Sequence, residues 1–412
     1  MGLHRFRPPP SGRMGVFWTL SGVKEAAVIE FGCMGHNLYG GSALKRAGIY
    51  EGLGADLYTT HIDETDISLG DTSRLYDTIA HVVREARPKA IFLQPSAVPE
   101  VIGTDLAALV NIMQRDFPGT PLIPAGRGSF AITAHRGVQE ALFTLVSVLP
   151  KPVAEREPNK FNIIGSCPDL FRYAADSNEI IRMMKGAFGM APLCVLSSST
   201  DITRIEQMGS ARINLVLRRE GVPAGQYLKE RFGAPYLYAR PYGVEGSSGW
   251  LVDVGEMLGR APDAAFVKTE RELALAQIDL AYDYLEGSEW SYPEEAVLTI
   301  GGHRDVVEGV LTFATNEMPL RRGVCWCDCP DMADEDIPFF TEDEWTPVVK
   351  NHAKGYLMFS GEALQWAGKN TQLTIANPDC EWRIHPYEPP FVGFRGAVHL
   401  INLWINEYAR TH

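Results

Sequence analysis

Residues 89–105 read Lys89-Ala-Ile-Phe-Leu-Gln-Pro-Ser-Ala-Val-Pro-Glu100-Val-Ile-Gly103-Thr-Asp105. The short apolar run Ala90–Leu93 reads as a strand, and the prolines and Gly103 after it mark a loop. Helical spacing follows over Asp105–Arg115 and precedes the run over Thr72–Glu85. Further strands are expected at Ala26–Phe31, Ala55–Tyr58 and Pro121–Ala125. Strands alternating with helices imply a parallel sheet with helices packed against it.

The rhythm breaks at Lys151–Lys160, a segment rich in prolines and charges and the first boundary candidate. A second cycle opens with strand Phe161–Gly165. It continues with helix Asn178–Phe188, strand Ala191–Leu196, helix Ile202–Gln207 and strands Ile213–Leu217 and Tyr236–Ala239. A long helical stretch, Asp263–Leu285, leads to a third start at Ala296–Ile300. Strand signals recur at Gly323–Trp326, Gly355–Phe359 and Gln372–Ile375 before a closing helix, Ala397–Tyr408. The expected fold class is α/β: three consecutive doubly wound, Rossmann-like domains with parallel sheets, over residues 1–150, 151–262 and 263–412. In such sheets ligands gather at the carboxyl ends of strands.

A chain of 412 residues exceeds what a single core usually organises, which agrees with several domains. Apolar residues at 45% and charged residues at 22% are those of a folded globular protein. The net charge of −13, with scattered Lys and Arg, argues against nucleic acid as a partner. No apolar run approaches the roughly 18 residues of a membrane span, and residues 1–11 have no apolar signal core, so a cytoplasmic protein is expected. Seven cysteines, an odd number spread over a long chain, read as thiols, some of them metal-bound, rather than as a disulfide framework.

Five collinear motifs resemble the nitrogenase component 1 family. Gly15-Val-Phe-Trp18 leading to Glu30-Phe-Gly-Cys33-Met-Gly35-His36 is similar to that family's first cluster loop. Residues 89–105 resemble its strand, cysteine loop and Ile-Gly-Asp-Asp turn. Asn214-Leu-Val-Leu-Arg218 stands where the family has an Asn-Leu-Val segment. Ile300-Gly301-Gly302-His303-Arg304 is similar to an Ile-Gly-Gly-x-Arg turn, and Pro390-Phe-Val-Gly-Phe-Arg-Gly396 to a Pro-Tyr-x-Gly-Tyr-x-Gly close. The family comprises dinitrogenase subunits, cofactor-assembly paralogues, dark-operative protochlorophyllide and chlorin reductases, and a nickel-tetrapyrrole reductive enzyme. Its members are oligomers supplied with electrons by a dimeric iron-sulfur ATPase.

The resemblance implies an iron-sulfur cluster, most simply [4Fe-4S], at a subunit interface. Cys33 and His36 are its candidate ligands here, while Pro8 and Ala97 stand where further cysteines belong. Two Cys33 residues alone give too few ligands, which favours a heterodimer or heterotetramer with a homologous, cysteine-richer subunit over a homodimer. Arg218 matches the position of the large cofactor's cysteine. Gly301, Gly302 and Arg304 form a candidate cofactor-binding loop, because glycine backbone N–H groups and a fixed guanidinium suit an anion or a cofactor sulfur. His303, Arg304 and His385 are the candidate catalytic residues, His385 lying near a cofactor histidine of dinitrogenases.

Cys325-Trp-Cys327-Asp-Cys329 is not a known zinc or ferredoxin spacing, yet in an extended chain its thiols share one face. A second metal centre in the third domain, redox thiols and plain packing are its three readings, with Cys380 a further thiol for the first. Cys167 and Cys194, on or beside apolar runs, read as core residues. The chain has no G-x-x-x-x-G-K-[ST] loop, so no direct ATP binding is expected. The functional expectation is a nitrogenase-like reductase subunit receiving low-potential electrons from the ATPase. The alternatives are a scaffold for metallocluster maturation and a metal-free structural paralogue.

Overall fold

The run at the centre of residues 89–105 is a strand with every residue buried, Ala90–Pro95. It belongs to the first of three four-stranded sheets in the computed structural model, which describes residues 10–33, 35, 54–126, 132–198, 200–287, 296–367, 372–376 and 388–411. This sheet comprises β1 (Ala26–Phe31), β2 (Asp56–Thr59), β3 (Ala90–Pro95) and β4 (Leu122–Pro124), ordered β2-β1-β3-β4 with every neighbour parallel. Strands covered on both faces need apolar residues at successive positions, and β1 and β3 have them. Ala27, Ile29, Ile91 and Leu93 form one core with Leu75, Ile79 and Val82 of a helix, α2 (Ser73–Glu85), and with Leu106 and Val110. Val28, Ala90 and Phe92, on the opposite face, pack in a second core with Leu142 and Leu145.

That second core also takes in Val16, Phe17 and Leu20 of the helix α1 (Gly12–Ser21), which the spacing of apolar residues did not announce. Its glycines explain it. A Cβ on Gly15 would lie 2.0 Å from the Ala134 carbonyl oxygen, and one on Gly137 would lie 1.9 Å from that of Gly12. Glycine therefore lets this helix cross Ala134–Val148 almost backbone to backbone.

The second sheet holds β5 (Glu157–Ser166), β6 (Ala191–Ser197), β7 (Ala211–Val216) and β8 (Tyr236–Tyr238) in the order β8-β7-β5-β6. Asn162 and Asn214 face each other on the parallel pair β5 and β7, Nδ2 of the first donating to Oδ1 of the second at 2.8 Å, so the two buried amides meet each other. Ile164, Val216, Cys167, Cys194 and Leu196 join the core that covers the first sheet. The third sheet holds β9 (Val297–Gly302), β10 (Arg321–Cys327), β11 (Tyr356–Ser360) and β12 (Gln372–Ala376), ordered β10-β9-β11-β12 and parallel throughout. Trp326, Trp345, Leu357 and Phe359 are its main aromatic and aliphatic cluster.

The first and third sheets share one internal order: second strand, first, third and fourth. Their first and third strands lie side by side at the centre, the position where crossover connections diverge and where doubly wound sheets hold ligands. The second sheet has the same order read from its other edge, β6-β5-β7-β8, with its first and third strands, β5 and β7, side by side at the centre. The chain forms two compact units, Pro9–Asp169 with Pro192–Tyr236, and Leu170–Ala191 with Leu237–His412. The amino-terminal unit carries the first two sheets and the carboxyl-terminal unit the third. Among the described residues no helix is long and apolar enough to cross a membrane.

Strand positions agree with the sequence reading to within a few residues, and the differences lie at boundaries. The proline- and charge-rich segment expected to separate two domains already enters β5 at Glu157, and the helix expected from Asn178 begins at Tyr173. The last helix begins at Gly393 instead of Ala397.

Candidate functional site

The central carboxyl ends of the three sheets carry most of the residues that the sequence singled out. At the first, β1 ends at Phe31 and the chain turns at Gly32, whose N–H donates to Thr60 Oγ1 at 3.0 Å and whose carbonyl accepts from Ile62 N at 3.1 Å. These bonds hold Cys33 at the strand mouth, partly exposed and packed against the core on that face. Below it Arg13 pairs with the fully buried Glu30, Nη1 to Oε1 at 2.6 Å, and Gln94 Nε2 donates to the Arg13 carbonyl at 2.6 Å. Burial pushes the Glu30 carboxyl above its usual range, against the opposing pull of Arg13.

Ala97, expected in place of a cysteine, begins a short helix after β3 and is buried. Pro8 and His36 lie outside the described residues. A cavity of about 260 Å³ opens in the same unit, lined by Phe31, Ile62, Ile67, Pro99, Ile102 and Ile112 among others. Val101, at 79% exposure, stands beside it with the exposed Ile102 and Ile112.

At the second sheet, Arg218 follows β7 and is completely enclosed. Its Nη1 and Nη2 bind the two oxygens of Asp169 at 2.8 and 3.0 Å, and Nη2 also donates to Glu220 Oε1 at 2.5 Å. Glu220 Oε1 in turn lies 2.9 Å from His135 Nδ1. Gly165, at φ +98°, makes room for this arginine, since a Cβ there would lie 2.6 Å from Arg218 Cγ. Burial and then the charge of Asp169 push the neighbouring Cys167 thiol up to about 12, and burial does the same to Cys194, so both are protonated at neutral pH. Asp169, Glu220 and His135 were not singled out in the sequence. Asp169 and His135 reach Arg218 and Glu220 from 49 and 85 residues away, and the spacing of Glu220, two residues past Arg218, does not announce that it folds back on it.

At the third sheet, the structure brings two sequence motifs together. The register pairs Ile300 with Cys325, Gly301 with Trp326 and Gly302 with Cys327, and Asp328 N donates to the Gly302 carbonyl at 3.0 Å. A Cβ on Gly301 would fall 2.0 Å from the Trp326 ring, so only glycine lets the indole lie across β9. His303 caps the next helix, α3 (Arg304–Asn316), its Nδ1 accepting from Asp305 N at 3.2 Å. Arg304 is 6% exposed; its Nη2 donates to Asp334 Oδ2 at 2.8 Å, while Nη1 is buried without an acceptor among the described residues.

Cys325, Cys327 and Cys329 are all buried. Cys327 Sγ donates to the Cys329 carbonyl at 3.2 Å and accepts from Cys329 N at 3.4 Å. Residues 338–340 run along the outer edge of β10, with Cys327 N donating to the Pro338 carbonyl at 2.7 Å. Among the described residues these three thiols do not gather within 4.8 Å of one another as ligands of one ion. Cys380 and His385 lie outside the described residues.

The sequence profile of the family described as nitrogenase component 1 type oxidoreductase matches residues 11–314. The chain is 23% identical over 250 residues to the nitrogenase iron-molybdenum cofactor biosynthesis protein NifE of Clostridium pasteurianum, covering 60% of this chain and 52% of that protein. It is 29% identical over 200 residues to a light-independent protochlorophyllide reductase chain of Methylobacterium radiotolerans, covering 47% and 37%. The chain thus spans about half or less of the length of these curated relatives. In fold it is similar to a solved chain described as nitrogenase Cp1 at pH 6.5, with a TM-score of 0.77, 16% identity, and coverage of 99% of this chain and 94% of that one.

Proposed function

Since the chain belongs to the nitrogenase component 1 type oxidoreductase family, we propose that it is the catalytic subunit of a nitrogenase-like reductase, receiving low-potential electrons from a separate iron-sulfur ATPase. The observation that carries this reading is the setting of Cys33. Of the six described cysteines it alone is partly exposed, and it is held at the central carboxyl end of the first sheet. A thiol so presented fits a ligand to an iron-sulfur cluster shared with another subunit, and such a cluster supplies one-electron transfer when bound. The exposed Val101, Ile102 and Ile112 in the same unit support contact with a companion subunit, because apolar residues crowded around a cavity usually mark an interface.

The carboxyl end of the third sheet is the substrate or cofactor side of this reading. The buried Arg304, with Nη1 unmatched among the described residues, would hold an acceptor group there, and His303 fixes the start of α3 against it. Arg218 does not fit a cofactor-ligand role, since its guanidinium is already held by two carboxylates. That closure, together with the likeness to NifE, favours a second reading: a scaffold that holds a metallocluster precursor with little turnover.

Iron, acid-labile sulfide and the EPR spectrum of anaerobically purified protein, alone and co-expressed with its companion subunit, test both. Iron is expected in the wild type and in a Cys325/Cys327/Cys329→Ala triple variant, and is expected to fall in Cys33→Ala. Protein free of metal in both preparations rejects both readings. Bound iron without ATP-dependent turnover selects the scaffold.

A further inference from the structure

In the carboxyl-terminal unit, Arg240 follows β8 in a loop that leads to a long helix, and its hydrogen bonding is incomplete. The side chain is 5% exposed. Nη2 binds Asp176, and that carboxylate is otherwise occupied: its Oδ1 accepts from Phe391 N at 2.7 Å and from Val392 N at 3.4 Å. Nε and Nη1 of Arg240 are buried and have no acceptor among the described residues.

Tyr242 repeats the pattern two residues later. Its ring is 6% exposed and packs on α3 at Gly309, where a Cβ would come within 2.1 Å of Tyr242 Cδ2. Its hydroxyl is buried and, among the described residues, without a partner. The Arg240 guanidinium carbon lies 5.7 Å from the centre of this ring, so the two side chains are neighbours. A buried donor without an acceptor is costly, and unmatched donors on two neighbouring side chains are a concentration that a bound acceptor would relieve in part, at one edge of the guanidinium and the phenol.

The surrounding charge selects the kind of molecule. Arg240 is one cation among two carboxylates, Asp176 and Asp305, the latter accepting from Tyr238 Oη at 2.8 Å. An anion would add to a negative excess. A neutral oxygen acceptor would not. Burial raises the Tyr242 phenol above its ordinary pKa, so it remains a donor at working pH. We propose that Arg240 and Tyr242 form a subsite for the carbonyl oxygen of an uncharged small molecule, a ketone or an amide. This subsite does not depend on Cys33 or on any bound cluster.

Acetamide, with acetate as its anionic counterpart, tests the assignment on the full-length protein by the shift in unfolding temperature. Arg240→Gln strands Asp176 and risks misfolding, so Tyr242→Phe is the deciding variant. Without ligand, Tyr242→Phe is expected to unfold at the wild-type temperature or above, because it deletes an unmatched hydroxyl. Acetamide is expected to stabilise the wild type, with about tenfold more needed for the same effect in Tyr242→Phe, and acetate to do no more than sodium chloride. The proposal is overturned if acetamide acts equally on both proteins, if acetate matches acetamide, or if Tyr242→Phe is destabilised without ligand.

Discussion

The carboxyl ends of the second and third sheets contain similar parts and use them differently. Each has a buried arginine just past a central strand. Arg218 meets two carboxylates, one of them bidentate, so that both terminal nitrogens are matched and only Nε has no acceptor among the described residues. It has 0% side-chain exposure with partners at 9% and 1%. Arg304 meets the half-exposed Asp334 through one nitrogen, with Glu308 at 3.6 Å, and leaves Nη1 unmatched among the described residues. Charges that satisfy one another inside the fold hold structure in place. A charge left partly unmatched at a strand end is available to something that binds. The contrast is between an arginine whose terminal nitrogens are closed on carboxylates and one with a terminal nitrogen left open, the ligand-holding role of Arg304 being the proposal made above.

The strongest way to break this comparison is Arg218→Met, which leaves Asp169 and Glu220 buried beside an apolar side chain. Urea unfolding is expected to show a loss of about 3–5 kcal/mol, the range for removing one partner of a buried ion pair. A loss below about 1 kcal/mol would mean that the network is open to water and that the two arginines are alike.

Gly301→Ala sharpens the other side. The added methyl meets the Trp326 ring at 2.0 Å, and the expected destabilisation is about 1–3 kcal/mol, the usual cost of overpacking a dense core. Tryptophan fluorescence should change with it, since the indole must move.

The smallest effect on stability is expected for Arg304→Gln. Its ion-pair partner is 53% exposed, so the pair contributes about 1 kcal/mol or less. Substrate or cofactor binding should instead carry the loss. If Arg304→Gln unfolds the protein more readily than Arg218→Met, the assignment of roles is reversed.

Much of the fold was legible in the sequence. Apolar runs such as Ala90–Leu93 and Ala296–Ile300 announced their strands because a strand in a covered parallel sheet is marked by its own residues. Helix Gly12–Ser21 was missed because its glycines serve a crossing with residues more than a hundred positions later. Of the candidate site, Cys33 and the Gly301–Arg304 loop could be located, since a turn after a strand has a local signature. The bidentate partner of Arg218 could not, because Asp169 lies 49 residues away in sequence.

The sequence by itself determined the family resemblance, the three α/β cycles and which loops stand at strand ends, all properties carried by short contiguous segments. Tertiary structure alone decided which of those loops are closed. It seals Arg218 between carboxylates, buries Cys325, Cys327 and Cys329 beside residues 338–340, and leaves Arg240 and Tyr242 with donors unmatched among the described residues. The reason is physical. Whether a polar group is satisfied depends on atoms brought to it by distant parts of the chain, and no local pattern encodes their arrival.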